Sequence, residues 1–200
     1  MTLLALLRHG PTEWNAGRRL QGRADVPLSD VTRGELRKRR LPGEFGGYRA
    51  LTSPLARCRE TAALLGLDPR PEARLVEMDW GVYQGFTVEE LRTRLGVDFA
   101  ANEARGLDFL PPEGESPRHV QERVAPLLAE IASGGTPTLA VTHRGVIRAI
   151  YARAVGWDMT EDPPHRLDLY ALHVFRLGKS GAPFVERLNV PLGRGTENPR

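Results

Sequence analysis

MTLLALLRHGPTEWN, Met1 to Asn15, opens the chain, and its apolar run ends on an arginine and a histidine. Leu3 to Leu7 reads as a short strand buried on both faces, since such strands show a continuous apolar run in place of alternation. A strand of this kind should stop in a plain turn. Arg8-His9-Gly10 instead places two anion-binding side chains at its carboxyl end.

The rest of the chain supplies partners for that strand. Further strands are predicted at Tyr48 to Thr52, Thr138 to Thr142, Ala171 to Leu177 and Phe184 to Val190. Between them lie helical patterns with start signals: Ser53-Pro54 before Leu55 to Leu65, Thr87 with Glu90 three residues on as a capping box, and Ser116-Pro117 opening a segment to about Ala132. Strand and helix alternate, which predicts an α/β fold: a single three-layer domain, its sheet mainly parallel, with helices on both faces. The last two strands are joined by the hairpin-like Gly178-Lys179-Ser180-Gly181, which predicts an antiparallel edge. The domain reads as residues 1–190, and the Gly-, Pro- and polar-rich 191–200 as a flexible C-terminal tail.

At 200 residues, with 40% hydrophobic and 26% charged side chains, the composition is that of one ordinary globular domain. No apolar run approaches the ~18 residues of a membrane span, and Met1 to Gly10 lacks the basic leader and cleavage site of a secretory peptide. The single cysteine, Cys58, excludes an internal disulfide and a four-cysteine zinc site, so the cytoplasm is the expected compartment. Net charge is +3 with pI near 9.4, and Lys38 and Lys179 are the only lysines, so the basic set is arginine, suited to forked recognition of phosphate or carboxylate. The dense cluster Arg37-Lys38-Arg39-Arg40 has no interleaved aromatics and reads as a solvated helix face; neither nucleic acid nor membrane is an expected partner.

Open α/β sheets bind ligands outside the carboxyl ends of their strands. Two predicted strands end in histidine turns, at His9 and at Thr142-His143-Arg144-Gly145, and a third ends at Ser53 before a helix carrying Arg57 in its first turn. Adjacent parallel strands would bring His9, His143, Arg8 and Arg57 together. Two histidines with Glu77 or Asp79 would suit zinc or iron, but Arg8 and Arg144 flank the histidines with permanent positive charge, so no metal is expected. An ordinary structural role for each residue taken singly competes with an anion site for a phosphoryl group taken jointly. In the latter, arginine forks hold the oxygens, backbone N–H groups of the helix starting near Arg144-Gly145 face the same anion, His9 serves as nucleophile with its other ring nitrogen held by a carbonyl, and His143 donates to the equatorial oxygens. A leaving alkoxide needs a general acid. Glu77 and Asp79 both qualify, and in an extended segment they share one face, so spacing does not separate them.

Arg8-His9-Gly10 with Thr12 and Asn15, Ser53-Pro54-Leu55-Ala56-Arg57 with Thr61-Ala62, Glu77 with Trp80-Gly81, Gly114-Glu115-Ser116, and Thr142-His143 with Gly145 and Arg148 occur in that order. Together they resemble the phosphoglycerate mutase-like branch of the histidine phosphatase superfamily, from Leu4 to about Gly156. The resemblance implies a phosphohistidine on His9, a phosphate pocket of Arg8, Arg57 and His143, and Glu77 as proton donor and acceptor. It further implies that Asn15, Gln21 and Gly22 line the substrate side, with no metal or organic cofactor. Mutases of this family carry an insertion after the glutamate block; here only Phe86 to Glu113 intervenes, a short cover that admits water and favours a phosphatase acting on a small phosphorylated metabolite. A mutase, or a phosphate-binding regulatory module without turnover, is the alternative. Gln84 stands where many relatives carry Glu, and Arg144 where Gly is common, which makes Arg144 either a substrate-binding charge or an outward surface residue. Cys58 reads as a small core residue, Ser116 as a helix cap and Trp80 as the tryptophan near the site; His119, His165 and His173 receive no role.

Overall fold

The computed structural model describes residues 1–195. Its six-stranded sheet contains β1 (Thr2–Arg8), β3 (Arg49–Thr52), β4 (Arg70–Pro71), β5 (Thr138–Thr142), β6 (Leu172–Leu177) and β7 (Pro183–Val190), in the order β4-β3-β5-β1-β6-β7. The first four are mutually parallel, and β6 and β7 form the antiparallel edge. This is the predicted α/β arrangement. A separate two-stranded sheet pairs β2 (Arg39–Arg40) with β8 (Gly193–Arg194).

β1 is buried on both faces, and the pleat divides its side chains between two cores. Leu4 and Leu6 join a cluster with Val124, Leu127, Ile147 and Ile150, while Ala5 and Leu7 join another with Cys58, Ala62 and Phe45. The first cluster lies beneath α5 (Pro117–Gly134) and α6 (Arg144–Val155), the second beneath α3 (Ala56–Leu64). The outer helices are α1 (Glu13–Ala16), α2 (Asp30–Arg37) and α4 (Val88–Glu103).

Several local signals act as their chemistry requires. Thr87 Oγ1 accepts from the Glu90 N–H while the Glu90 carboxylate accepts from the Thr87 N–H, closing the predicted capping box of α4. Ser116 caps α5, and the N3 side chain completing the box is His119, whose Nδ1 accepts from the Ser116 N–H. Ser53 departs from expectation: the N-cap of α3 is Leu55, without a side-chain bond, and the Ser53 hydroxyl turns toward His143. The basic cluster is also corrected in part. Arg37 ends α2, but Arg39 and Arg40 leave the helix as β2, because Gly193 and Arg194 offer a strand partner and the Gly195 N–H bonds the Lys38 carbonyl. The remainder of the predicted tail, 196–200, lies outside the described residues.

Candidate active site

The register of the sheet assembles the site. Arg8 lies opposite Thr142 and Thr52 opposite Val141, so His9, Ser53 and His143 emerge side by side at one end. The ladder runs one step past each strand, with the His9 N–H on the Thr142 carbonyl at 2.9 Å and the Ser53 N–H on the Val141 carbonyl at 2.9 Å. α3 is fastened to the first turn through Thr61, whose hydroxyl accepts from the Gly10 N–H at 2.9 Å and donates to the Arg57 carbonyl.

His9 and His143 stand with ring centroids 5.2 Å apart and are almost wholly buried. His9 Nδ1 lies 2.7 Å from the Gly10 carbonyl, an acceptor only, so Nδ1 carries the proton and Nε2 presents its lone pair. Burial, then the charges of Arg8 and Arg57, hold the His9 pKa well below 6.5; burial does the same for His143, followed by His9 and Arg57. Both rings are neutral at pH 7. His143 Nε2 lies 2.8 Å from the Ser53 hydroxyl and 3.4 Å from Cys58 Sγ. Cys58 is core, as predicted, and burial pushes its thiol pKa up, away from reactivity.

Arg57 is 0% exposed. Its Nη1 donates to the Ala24 carbonyl at 2.7 Å and its Nη2 to the Gly22 carbonyl at 2.8 Å, but its Nε and that of Arg8 are buried without a partner among the described residues. An unmade hydrogen bond on a buried cation is costly, and two side by side mark a place for an anion. Glu77, fully buried, supplies one carboxylate, and its pKa is raised from 4.5 chiefly by burial, against the N–H groups of Met78 and Gly145 and the charges of Arg57 and Arg8. The charges of Arg8 and Arg57 thus bear on one another and on two neutral rings.

The Gly145 N–H at the start of α6 donates to the Glu77 carboxylate at 3.1 Å, so this turn of the helix holds the acid. Glycine is required there, since a Cβ would sit 2.4 Å from Glu77 Oε1. Asp79 pairs with Arg23 at 3.3 Å and accepts from the Gly81 N–H, within a network shared with Glu115, while Glu77 lies close to the charges of Arg8 and Arg57.

Asn15, Gln21, Gly22 and Arg144, expected on the substrate side, are placed as follows. Asn15 Oδ1 accepts from the Thr12 N–H and hydroxyl, completing the capping box of α1, and Asn15 lines a cleft of about 740 Å³ together with Arg8, His9, Thr32, Leu36 and Tyr170. Arg57, Glu77 and His143 lie outside the walls of that cleft. Gln21 is buried with Oε1 unpartnered. Gly22 has φ +50°, and any Cβ there would sit 2.6 Å from Gln84 Oε1 and 3.1 Å from the Trp80 nitrogen, which places Trp80 beside this turn. Arg144 is exposed at the start of α6. His165 bonds the Tyr151 hydroxyl and His173 the Asp168 carbonyl, both apart from the site.

Sequence reasoning missed Ser53 and Cys58 as neighbours of His143, and Gln84 as the bolt of the loop that holds Arg57. Gln84 Oε1 accepts from the Arg23 and Ala24 N–H groups at 2.9 and 3.1 Å. Both bonds use one oxygen as acceptor, a role a glutamate oxygen fills equally. Gln84→Ala is expected to lower kcat/KM about tenfold through a raised KM, the size of one hydrogen bond lost, and Gln84→Glu to stay within about threefold of wild type; steady-state kinetics on both variants test it.

An open α/β sheet that gathers two neutral histidines, two arginines with unpaired Nε donors and a buried acid at the carboxyl ends of its strands defines a phosphoryl-transfer enzyme. The profile of the histidine phosphatase superfamily, branch 1, matches residues 4–191, and the chain belongs to this family. It is 34% identical over 177 residues to a glucosyl-3-phosphoglycerate phosphatase of Mycolicibacterium vanbaalenii, covering 76% of this chain and 74% of the relative. To a 2,3-bisphosphoglycerate-dependent phosphoglycerate mutase of Methylobacterium radiotolerans it is 31% identical over 203 residues, covering 94% and 90%. The structure of a mycobacterial glucosyl-3-phosphoglycerate phosphatase complexed with VO3 superposes with a TM-score of 0.78 at 26% identity, over 95% of this chain and 100% of that one.

Proposed function

We propose that the chain is a cytoplasmic, metal-independent phosphomonoester hydrolase in which His9 takes the phosphoryl group from a small phosphorylated metabolite and passes it to water. The observation that carries this reading is the pair of buried, unpartnered Nε donors of Arg8 and Arg57 beside a histidine whose Nδ1 is already committed to a carbonyl. His9 Nε2 attacks phosphorus in line, and the P–O bond to the leaving group breaks. Arg8, Arg57 and His143 stabilise the charge on the equatorial oxygens. Glu77, whose pKa burial raises from the ordinary carboxyl value, gives its proton to the departing alkoxide. The resulting carboxylate then takes a proton from a water that attacks the phosphohistidine, breaking the P–N bond and releasing inorganic phosphate. Asn15, Gln21, Gly22 and Arg144 contact the remainder of the substrate, with Gln21 Oε1 open to a donor.

Overall length does not separate hydrolysis from transfer, because the mutase relative is covered over 90% of its own length. A short cover favours hydrolysis: residues 87–113 hold one α-helix, α4, broken at Gly96 where φ is 53°, with Val97 exposed, and one 3₁₀ turn at Gly106–Asp108. The test is release of inorganic phosphate from a panel of phosphomonoesters in EDTA. Turnover that resists EDTA and needs no second phosphate acceptor is the expected result. Dependence on added metal, or phosphate passed only to a second phosphoglycerate, overturns the reading.

A further inference from the structure

Next to the cluster lies a second cavity, of about 350 Å³, whose walls include Arg144, Arg148, Trp157, Asp162, Arg166 and Leu169. Three guanidinium groups face one carboxylate. Several arginines elsewhere are ion-paired, as Arg118 with Asp108, Arg123 with Glu115 and Arg176 with Glu186, and others stand singly at the surface, but these three line one cavity together. Arg144, Arg148 and Arg166 make no ion pair and donate no side-chain hydrogen bond among the described residues.

Their placement opposes elementary electrostatics. Arg144 is the first residue of α6, where the positive end of the helix disfavours a cation. Arg148 follows four residues later on the same face, a like-charge pair. Its guanidinium carbon lies 4.8 Å from the centroid of the Trp157 ring, and burial beside Arg144 pushes its pKa down to about 10. A bound anion offsets all three penalties at once, and a forked guanidinium is the group best suited to a carboxylate or phosphate.

The cavity adjoins the phosphate site. Arg144 directly follows His143, and its charge acts on Arg8. The segment 168–170 forms the partition: Leu169 lines this cavity, whereas Asp168 and Tyr170 line the cleft that holds Arg8 and His9. We propose that the cavity of Arg144, Arg148 and Arg166 receives a second anionic group of the substrate, so that the preferred esters are small phosphomonoesters carrying another acidic group, a carboxylate or a second phosphate. This rests on the phosphate reading of His9 and its neighbours.

The test uses a ruler of inert probes: alkylphosphonates, ω-phosphonocarboxylates and α,ω-bisphosphonates of matched chain length, titrated calorimetrically into the full chain. At one chain length a diacid is expected to bind about tenfold tighter or more than its alkyl counterpart, the size of one charge-assisted bond. Whether the carboxylate or the bisphosphonate gains more identifies the second group. Arg166→Ala, on an exposed loop residue, and Arg148→Gln are each expected to bring that ratio to within about threefold of one. No advantage at any length, or an advantage that survives both variants, overturns the proposal. Alkylphosphonates that fail to bind in competition with inorganic phosphate overturn the phosphate reading itself, a separate outcome.

Discussion

His9→Ala is expected to lower kcat by about four orders of magnitude or more, the scale at which removing a nucleophile abolishes covalent catalysis. His9 Nδ1 is fixed on the Gly10 carbonyl, which leaves Nε2 without a hydrogen-bond partner among the described residues, whereas the Nε2 of the neighbouring His143 is taken up by the Ser53 hydroxyl. Cys58 is set aside as a nucleophile because burial pushes its pKa up and its sulfur contacts His143 and the Thr142 carbonyl. Rapid quenching with a labelled ester should trap an acid-labile, alkali-stable phosphoprotein in wild type and none in His9→Ala. Residual turnover within about a hundredfold of wild type would remove His9 from the role of nucleophile. The variant leaves a void between strand and helix, so circular dichroism must show it folded for the comparison to count.

The second large effect concerns Glu77. Glu77→Gln is expected to slow release of an alkoxide leaving group by about 10²- to 10⁴-fold, yet to leave the initial burst from p-nitrophenyl phosphate nearly intact, because a phenolate of low basicity departs without a proton. A structural role would depress both alike. The pH dependence has a fixed sign. The Glu77 pKa is raised above 4.5 by burial, and the acid must be protonated, so the rate falls as pH rises through that raised value. The His9 pKa is held well below 6.5, and the nucleophile must be neutral, so the rate falls only when pH drops through that depressed value. The kcat/KM profile of wild type is therefore a bell, and Glu77→Gln should lose its alkaline limb while keeping the acid one. An unchanged alkaline limb in Glu77→Gln would sink the assignment. The same shifts bear on the fold: the stability His9 and His143 contribute as neutral rings is present above about pH 6.5 and is lost as pH falls toward their lowered folded values.

Much of the fold was legible because local rules and global packing agree. The run Leu3 to Leu7 carries no polar side chain, and β1 is accordingly sandwiched between two cores. Thr87 and Ser116 mark the starts of α4 and α5 through hydrogen bonds that span three residues. Ser53 looked the same by sequence, but a histidine 90 residues away offers its hydroxyl a buried partner, and the cap went unformed. Arg39 and Arg40 continued a helical pattern until Gly193 and Arg194 supplied a strand from the far end of the chain.

For the site, sequence by itself determined which side chains are present and that strand ends deliver them, because apolar runs followed by His9 and His143 are local facts. It also distinguished arginine from lysine, and so the forked geometry available to an anion. Only the tertiary structure decided what each group does with its hydrogen bonds. Glu77 and Asp79 are two residues apart, and they differ because one is sealed against Gly145 while the other meets Arg23. Gln84 matters through a loop it bolts from 60 residues away, and Arg148 through the ring of Trp157. The physical reason is common to all of these. Chain composition sets the inventory of charges and donors, whereas burial and partnership set their energies, and both depend on contacts between segments distant in the chain.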